Sequence, residues 1–193
     1  MSLRARLFTL LAGVLLFARP ALAQGPPNAD SLLIAQRAAL ARLSFMDGVW
    51  RGQATTTLPS GEKKTVTQTE RIGPFLDGAV KVIEGRGYDA NGKVAFNAFG
   101  ILSYDPARKA HTLRSYAMGM AGDFAFSPAD SGYVWEIPAG GLTIRYTAVV
   151  HSGKWHEIGE RVVTGGDAVR FFDMTLTRVG DSSWPGAGAI PPR

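Results

Sequence analysis

The sequence predicts an all-β fold, an antiparallel β-barrel of about ten strands with one N-terminal helix. Three observations carry this. After residue 47 the chain divides into strand-like runs spaced by roughly 8–12 residues. The runs are joined by short turns rich in Gly, Pro, Asn and Asp, which require antiparallel neighbours. Helical periodicity occurs once, over residues 30–42, so there are no βαβ units. A meander of this length has to hide its edges, and closure into a barrel does so directly. A two-sheet sandwich is the alternative.

In chain order, Arg4 and Arg6 precede an apolar run over 7–17. Arg19-Pro20 ends that run, and Ala21-Leu22-Ala23 supplies a small-x-small cleavage pattern. Residues 1–23 are therefore expected to be a secretory signal peptide cleaved after Ala23, making the protein periplasmic or secreted. The run falls short of the roughly 20 apolar residues that cross a bilayer. Residues 24–29 read as a linker, 30–181 as the helix plus barrel, and 182–193 as a Pro/Gly-rich disordered tail.

The formal charge of +5 falls to +2 once Arg4, Arg6 and Arg19 leave with the leader. No Lys/Arg cluster remains, so nucleic acid is excluded as a partner. With no cysteine there are no disulfides, thiolate metal sites or lipid-bearing thiols. Stability has to come from an ordinary core, which a chain of this length can bury.

Within the helix, Leu32, Leu33, Gln36, Ala39, Leu40 and Leu43 recur at three- and four-residue spacing, with Asp30 or Ser31 as cap, and the apolar stripe suits a plug at one barrel end. The stretch 45–52 hands the helix over to the first strand, with Trp50 turned inward at the floor. On 64–72, Val66, Gln68, Glu70 and Ile72 alternate with Thr65, Thr67, Thr69 and Arg71, which places Gln68 and Glu70 on the buried face. Gly73-Pro74 reads as an interruption, Asn91-Gly92 and Gly165-Gly166 as turns, 118–122 as a flexible break or lid, and 127–132 as a turn. The polar outer faces argue against a membrane barrel.

The candidate ligand-binding residues are Trp50, Glu84, Arg114, Tyr116, Trp135, Tyr146, Glu157 and Met174. Trp50 suits the packed floor as well as a pocket wall. Tyr116, Trp135, Tyr146 and Met174 would give an apolar, adaptable lining or plain core. Glu157 shares a face with Trp155. A buried carboxylate there needs a partner, for which Arg114 and Arg145 are available, while Arg86 can pair with Glu84 or Glu70. Such charges fix strand register, recognise a polar ligand head, or provide a general base. His111, His151 and His156 are too scattered for a zinc signature, so no metal is expected. His111 and His151 read as exposed. No catalytic set is complete, and no cofactor is expected.

A helix leading into Gly48-x-Trp50-x-Gly52 and then an all-β meander resembles the calycin superfamily of lipocalin-like barrels, and Gly-Ile-Leu-Ser-Tyr-Asp at 100–105, Trp155-x-Glu157 and Met174-x-Leu176-x-Arg178 narrow the resemblance within it. Within it, the chain looks most like secreted bacterial proteins of the DUF1579 type over 43–179. The resemblance implies a cavity barrel that takes a small hydrophobic or amphipathic molecule, and it implies no catalytic residue. Two alternatives stand beside that function. One is a calycin-type isomerase or hydro-lyase with Glu157 as base and Arg114 or Tyr116 polarising a carbonyl. The other is a heme barrel, since nitrobindin-type proteins share the Gly-x-Trp-x-Gly opening and bind heme through a late histidine, for which His156 is the nearest candidate.

Overall fold

The computed structural model describes residues 28–186. The leader and its cleavage site lie outside them. Helix α1 (Ala29–Ala41) begins one residue earlier than its periodicity suggests. Asn28 takes the cap position instead of Asp30 or Ser31, its side chain accepting from the Asp30 N–H at 3.1 Å. A short 3-10 turn (Ser44–Met46) then delivers the chain to the sheet.

Ten strands follow: β1 (Gly48–Thr57), β2 (Lys63–Phe75), β3 (Val80–Tyr88), β4 (Val94–Asp105), β5 (Ala110–Ala117), β6 (Met120–Ala129), β7 (Gly132–Pro138), β8 (Leu142–His151), β9 (Lys154–Val163) and β10 (Val169–Gly180). Each pairs antiparallel with its neighbours in sequence, and β1 pairs with β10 to close the barrel. The sheet therefore has no free edge. The barrel stands and the sandwich alternative falls.

Two expected breaks prove continuous. Strand β2 runs through Gly73-Pro74, with Pro74 opposite Lys81. Gly73 is needed there because a Cβ would lie 2.1 Å from the Trp184 carbonyl oxygen, where the chain after β10 crosses the outside of the sheet. The stretch 118–122 is no flexible break. Met118 at φ +51° and Gly119 at φ +81° form a two-residue hairpin turn, and Ala117 pairs with Met120 across it. Likewise β6 extends to Ala129, so the expected turn at 127–132 shrinks to Asp130-Ser131.

The motifs have local causes. A Cβ on Gly52 would meet the Thr175 oxygen at 2.0 Å, so only glycine permits the β1–β10 contact that closes the barrel. Trp50 is 1% exposed and its indole N–H donates to the Met46 carbonyl at 2.8 Å, anchoring the 3-10 turn under the floor. Within 100–105, Leu102 and Tyr104 face inward, and the Asp105 carboxylate accepts from the Ala107 and Arg108 N–H groups at 2.9 and 3.2 Å to shape the next turn.

Helix α1 packs against β3 and β4, and Arg37 meets Asp77 of the β2–β3 turn at 3.5 Å. Beneath it Leu40, Leu43, Met46, Trp50, Leu102, Trp155 and Leu176 form a continuous core. Lys81, 2% exposed, points into this end and pairs with Asp47. His111 also points in, not out to solvent as its strand-opening position suggested. Its ring lies 4.8 Å from Tyr104 and 6.4 Å from Phe126, and burial pushes its pKa down. His151 is exposed at the end of β8.

Candidate functional site

Strand register decides which side chains share the lumen, because paired residues face the same side and neighbours in sequence face opposite sides. Starting from Trp50, the partners Glu70, Gly85, Ala98 and Ala117 all face inward. On the far wall Tyr133, Ala148, Glu157 and Met174 are mutual partners and face inward too.

The lumen has two parts. Toward the helix it is solid: Trp50 and Trp155 meet edge to face at 5.6 Å, and Tyr133 stacks on Phe126 at 4.9 Å. Toward the other end, the inward residues Val66, Ala98, Ser115, Ala117, Gly122, Phe124, Trp135, Tyr146 and Phe172 are half-buried, so solvent reaches them. Small residues on β4 to β6 face an aromatic wall in which Trp135 and Tyr146 lie parallel at 4.5 Å, with Phe172 edge-on to Tyr146 at 5.7 Å. At the rim, a concavity of about 420 Å³ lies between β4 and the β5–β6 hairpin, bounded by Ala98, Ala117 and the exposed Met118 and Met120. A second, of about 250 Å³, lies on the outer wall by Arg71, Glu84 and Arg86.

Between the solid part and the open part sit two carboxyls. Glu70 receives the Gln68 side-chain N–H at 2.7 Å. Glu157 receives the Tyr133 hydroxyl. Burial is the main cause that pushes Glu70 from 4.5 up to about 8. The Gln68 hydrogen bond works against it, and the charges of Glu157 and Glu84 add to it. Burial likewise pushes Glu157 to about 7 against the opposing effect of Tyr133 and of the Trp135 and Trp155 N–H groups. The Trp155 N–H is close to this acid but makes no aligned hydrogen bond, and it remains a buried donor without a partner. Tyr133 is raised in turn by burial and by Glu157, and Tyr146 is raised to about 12, chiefly by burial.

The structure brings five of the eight candidate residues into the lumen: Trp50 in the floor, Glu157 and Met174 at mid-height, and Trp135 and Tyr146 in the accessible part. It places the other three on the outside. Glu84 lies between Arg71 and Arg86 at 2.5 and 2.7 Å, Arg114 pairs with Asp123 at 2.9 Å, and Tyr116 is 44% exposed beside Arg114. Arg145 pairs outside with Glu136 at 2.7 Å. Neither arginine can therefore neutralise Glu157, since both project from the opposite face of the sheet. For the same reason the proposed base and its carbonyl-polarising partners Arg114 and Tyr116 do not converge. His156, offered as a heme ligand, is also outside, 3.4 Å from Asp173. Sequence reasoning missed Tyr133 as the partner of Glu157. Its signal was the alternation Tyr133, Trp135, Ile137 along β7, which puts Tyr133 and Trp135 on one face.

No family model and no curated protein matches the chain. Among solved structures it is similar to Rv2717c from M. tuberculosis, with a TM-score of 0.55 and 14% identity, over 72% of this chain and 96% of that one. It is also similar to the S-type phycobiliprotein lyase CPES from Guillardia theta, with a TM-score of 0.51 and 12% identity, over 78% of this chain and 98% of that one. At such identities what is shared is the fold, and the chain is a closed lipocalin-like barrel of ten strands with one α-helix among the described residues.

Proposed function

We propose that this barrel binds a small hydrophobic or amphipathic molecule through its accessible end and carries it in the periplasm or outside the cell. The observation that carries the reading is the solvent-accessible lumen, with the Trp135–Tyr146 stack on one side and small side chains on the other. Such a wall offers flat apolar contact at little entropic cost, and the polar groups below it orient a ligand's head. The lipocalin-like fold supports the reading, and so does one neighbour whose name is that of a phycobiliprotein lyase. The likeness to DUF1579-type secreted proteins and the leader-like residues 1–23 motivate the location. No described helix is long and apolar enough to cross a membrane.

An enzymatic reading keeps its base, since Glu157 is buried with a pKa near 7 and hydrogen-bonded to Tyr133. It lacks the electrophilic partners first assigned to it. The carrier reading is tested with protein purified without detergent. Native mass spectrometry should find a co-purifying small molecule, or a neutral apolar dye should bind with a blue-shifted emission. Failure of every apolar probe to bind would remove the proposal.

A further inference from the structure

We propose that the lumen is built for an organic cation, a small amine whose ammonium group sits between Glu70 and Glu157 while its apolar body lies against Trp135 and Tyr146. This rests on the ligand-binding reading above and names its ligand class.

The argument begins with charge. Two carboxyls, 9% and 7% exposed, point into the same lumen from β2 and β9. Among the described residues, no cationic side chain forms a salt bridge with either. Arg71 and Arg86 are held by Glu84, Arg114 by Asp123 and Arg145 by Glu136, all outside, while Lys81 is held by Asp47 in the floor. Arg161 stands toward the open end with its guanidinium 4.2 Å over the Phe171 ring, and it acts on Tyr146 rather than on the acids. A buried carboxylate without a counter-charge is costly, so each acid keeps its proton unless a cation supplies that charge.

The groups that face the acids point the same way. Gln68 donates to Glu70, Tyr133 donates to Glu157, and the Trp135 and Trp155 N–H groups face Glu157. All of these favour a carboxylate over a neutral acid. Burial outweighs these donors and keeps both acids protonated, so a carboxylate forms there only when a cation accompanies it, and among the described residues no side chain makes that salt bridge.

A second observation concerns the indole beside Glu157. The Trp155 N–H is buried beside the Tyr133–Glu157 pair and makes no aligned hydrogen bond. A bound ammonium that draws the proton off Glu157 turns that acid into a charged acceptor, which is what this donor lacks. The lining completes the fit: the Trp135–Tyr146 stack borders the accessible part of the lumen next to the acids, and aromatic rings attract cations.

The empty site holds protons because burial raises both acids, so a cation entering at neutral pH displaces a proton to solvent. Titration calorimetry of the full chain in two buffers of different ionisation enthalpy counts that proton. The probes are n-octylammonium, n-octanol and octanoate. We expect octylammonium to bind at least about tenfold more tightly than octanol, octanoate to bind weakest, and protons to be released. Octylammonium affinity should rise between about pH 6 and pH 8.5 as the acids ionise. Glu70→Gln and Glu157→Gln should each erase the preference for the amine while octanol still binds. The wild-type pH series tests the proposal even if a variant does not fold. Octanol binding as tightly as octylammonium, or no proton release, would overturn the cation proposal and leave the ligand-binding reading intact. Binding of none of the three probes would overturn both.

Discussion

The floor and the open end of this barrel are made of the same ten strands, yet they solve opposite problems. At the floor, inward side chains are large and interlock: Trp50, Trp155, Leu102 and Leu176 fill the lumen, with Leu43 and Met46 closing it from below. At the open end the inward positions of β4 to β6 carry Ala98, Ser115, Ala117 and Gly122, too small to meet the aromatic wall opposite. The backbone is continuous across both regions, so side-chain volume alone decides where the barrel is solid and where it admits solvent. The two buried acids stand at the boundary, where a ligand would end and the core begins.

This contrast makes graded predictions, and the largest concerns pH. Both acids bind protons more tightly in the folded barrel than in the unfolded chain. Their stabilising contribution is therefore complete below about pH 4.5, and it is lost as pH rises through about 7 and about 8. At about 1.4 kcal/mol per pKa unit the loss amounts to several kcal/mol. Urea unfolding midpoints should fall over this range, and Glu70→Gln should flatten the fall. A midpoint that is flat with pH in the wild type would contradict the buried pair.

The next effect is at the floor. Trp50→Ala removes a fully buried ring and orphans the Met46 carbonyl, which should cost about 3–5 kcal/mol. Asp47→Ala leaves the Lys81 ammonium buried without its partner. The aspartate is 30% exposed, which lowers the expected loss to about 2 kcal/mol. Smallest is Trp135→Ala at the open end, about 1 kcal/mol in stability because the ring is half-buried. The same change should weaken apolar-probe binding about tenfold, measured by fluorescence titration, whereas Asp47→Ala should leave it unchanged.

Much of this was legible in the sequence. The alternation Val66, Gln68, Glu70, Ile72 placed two polar residues inside, and Trp155-x-Glu157 placed a tryptophan and an acid on one inward face. Gly48-x-Trp50-x-Gly52 marked the closure point. The faces of β5 were not legible. Arg114 and Tyr116 alternate with Leu113, Ser115 and Ala117, and the size of Tyr116 suggests burial while Ser115 and Ala117 suggest exposure. Register with β4 and β6 reverses both impressions, and pairing across strands is not written in a single run of residues. The Tyr133–Glu157 contact has the same character, since it joins β7 to β9 across 24 residues. The unexpected extent of β2 and β6 has a simpler cause. Gly73 and Gly119 read as breaks, but one allows the chain after β10 to cross and the other makes a tight turn.

The central claim is that one end of the lumen admits an apolar guest and the other does not. The four tryptophans give four indole N–H resonances that report on it separately. Titration of uniformly nitrogen-15-labelled protein with n-octanol should move the Trp135 indole resonance and leave that of Trp50 in place. Movement of Trp50 with Trp135 unmoved, or no movement of any indole resonance at saturating octanol, would contradict the account.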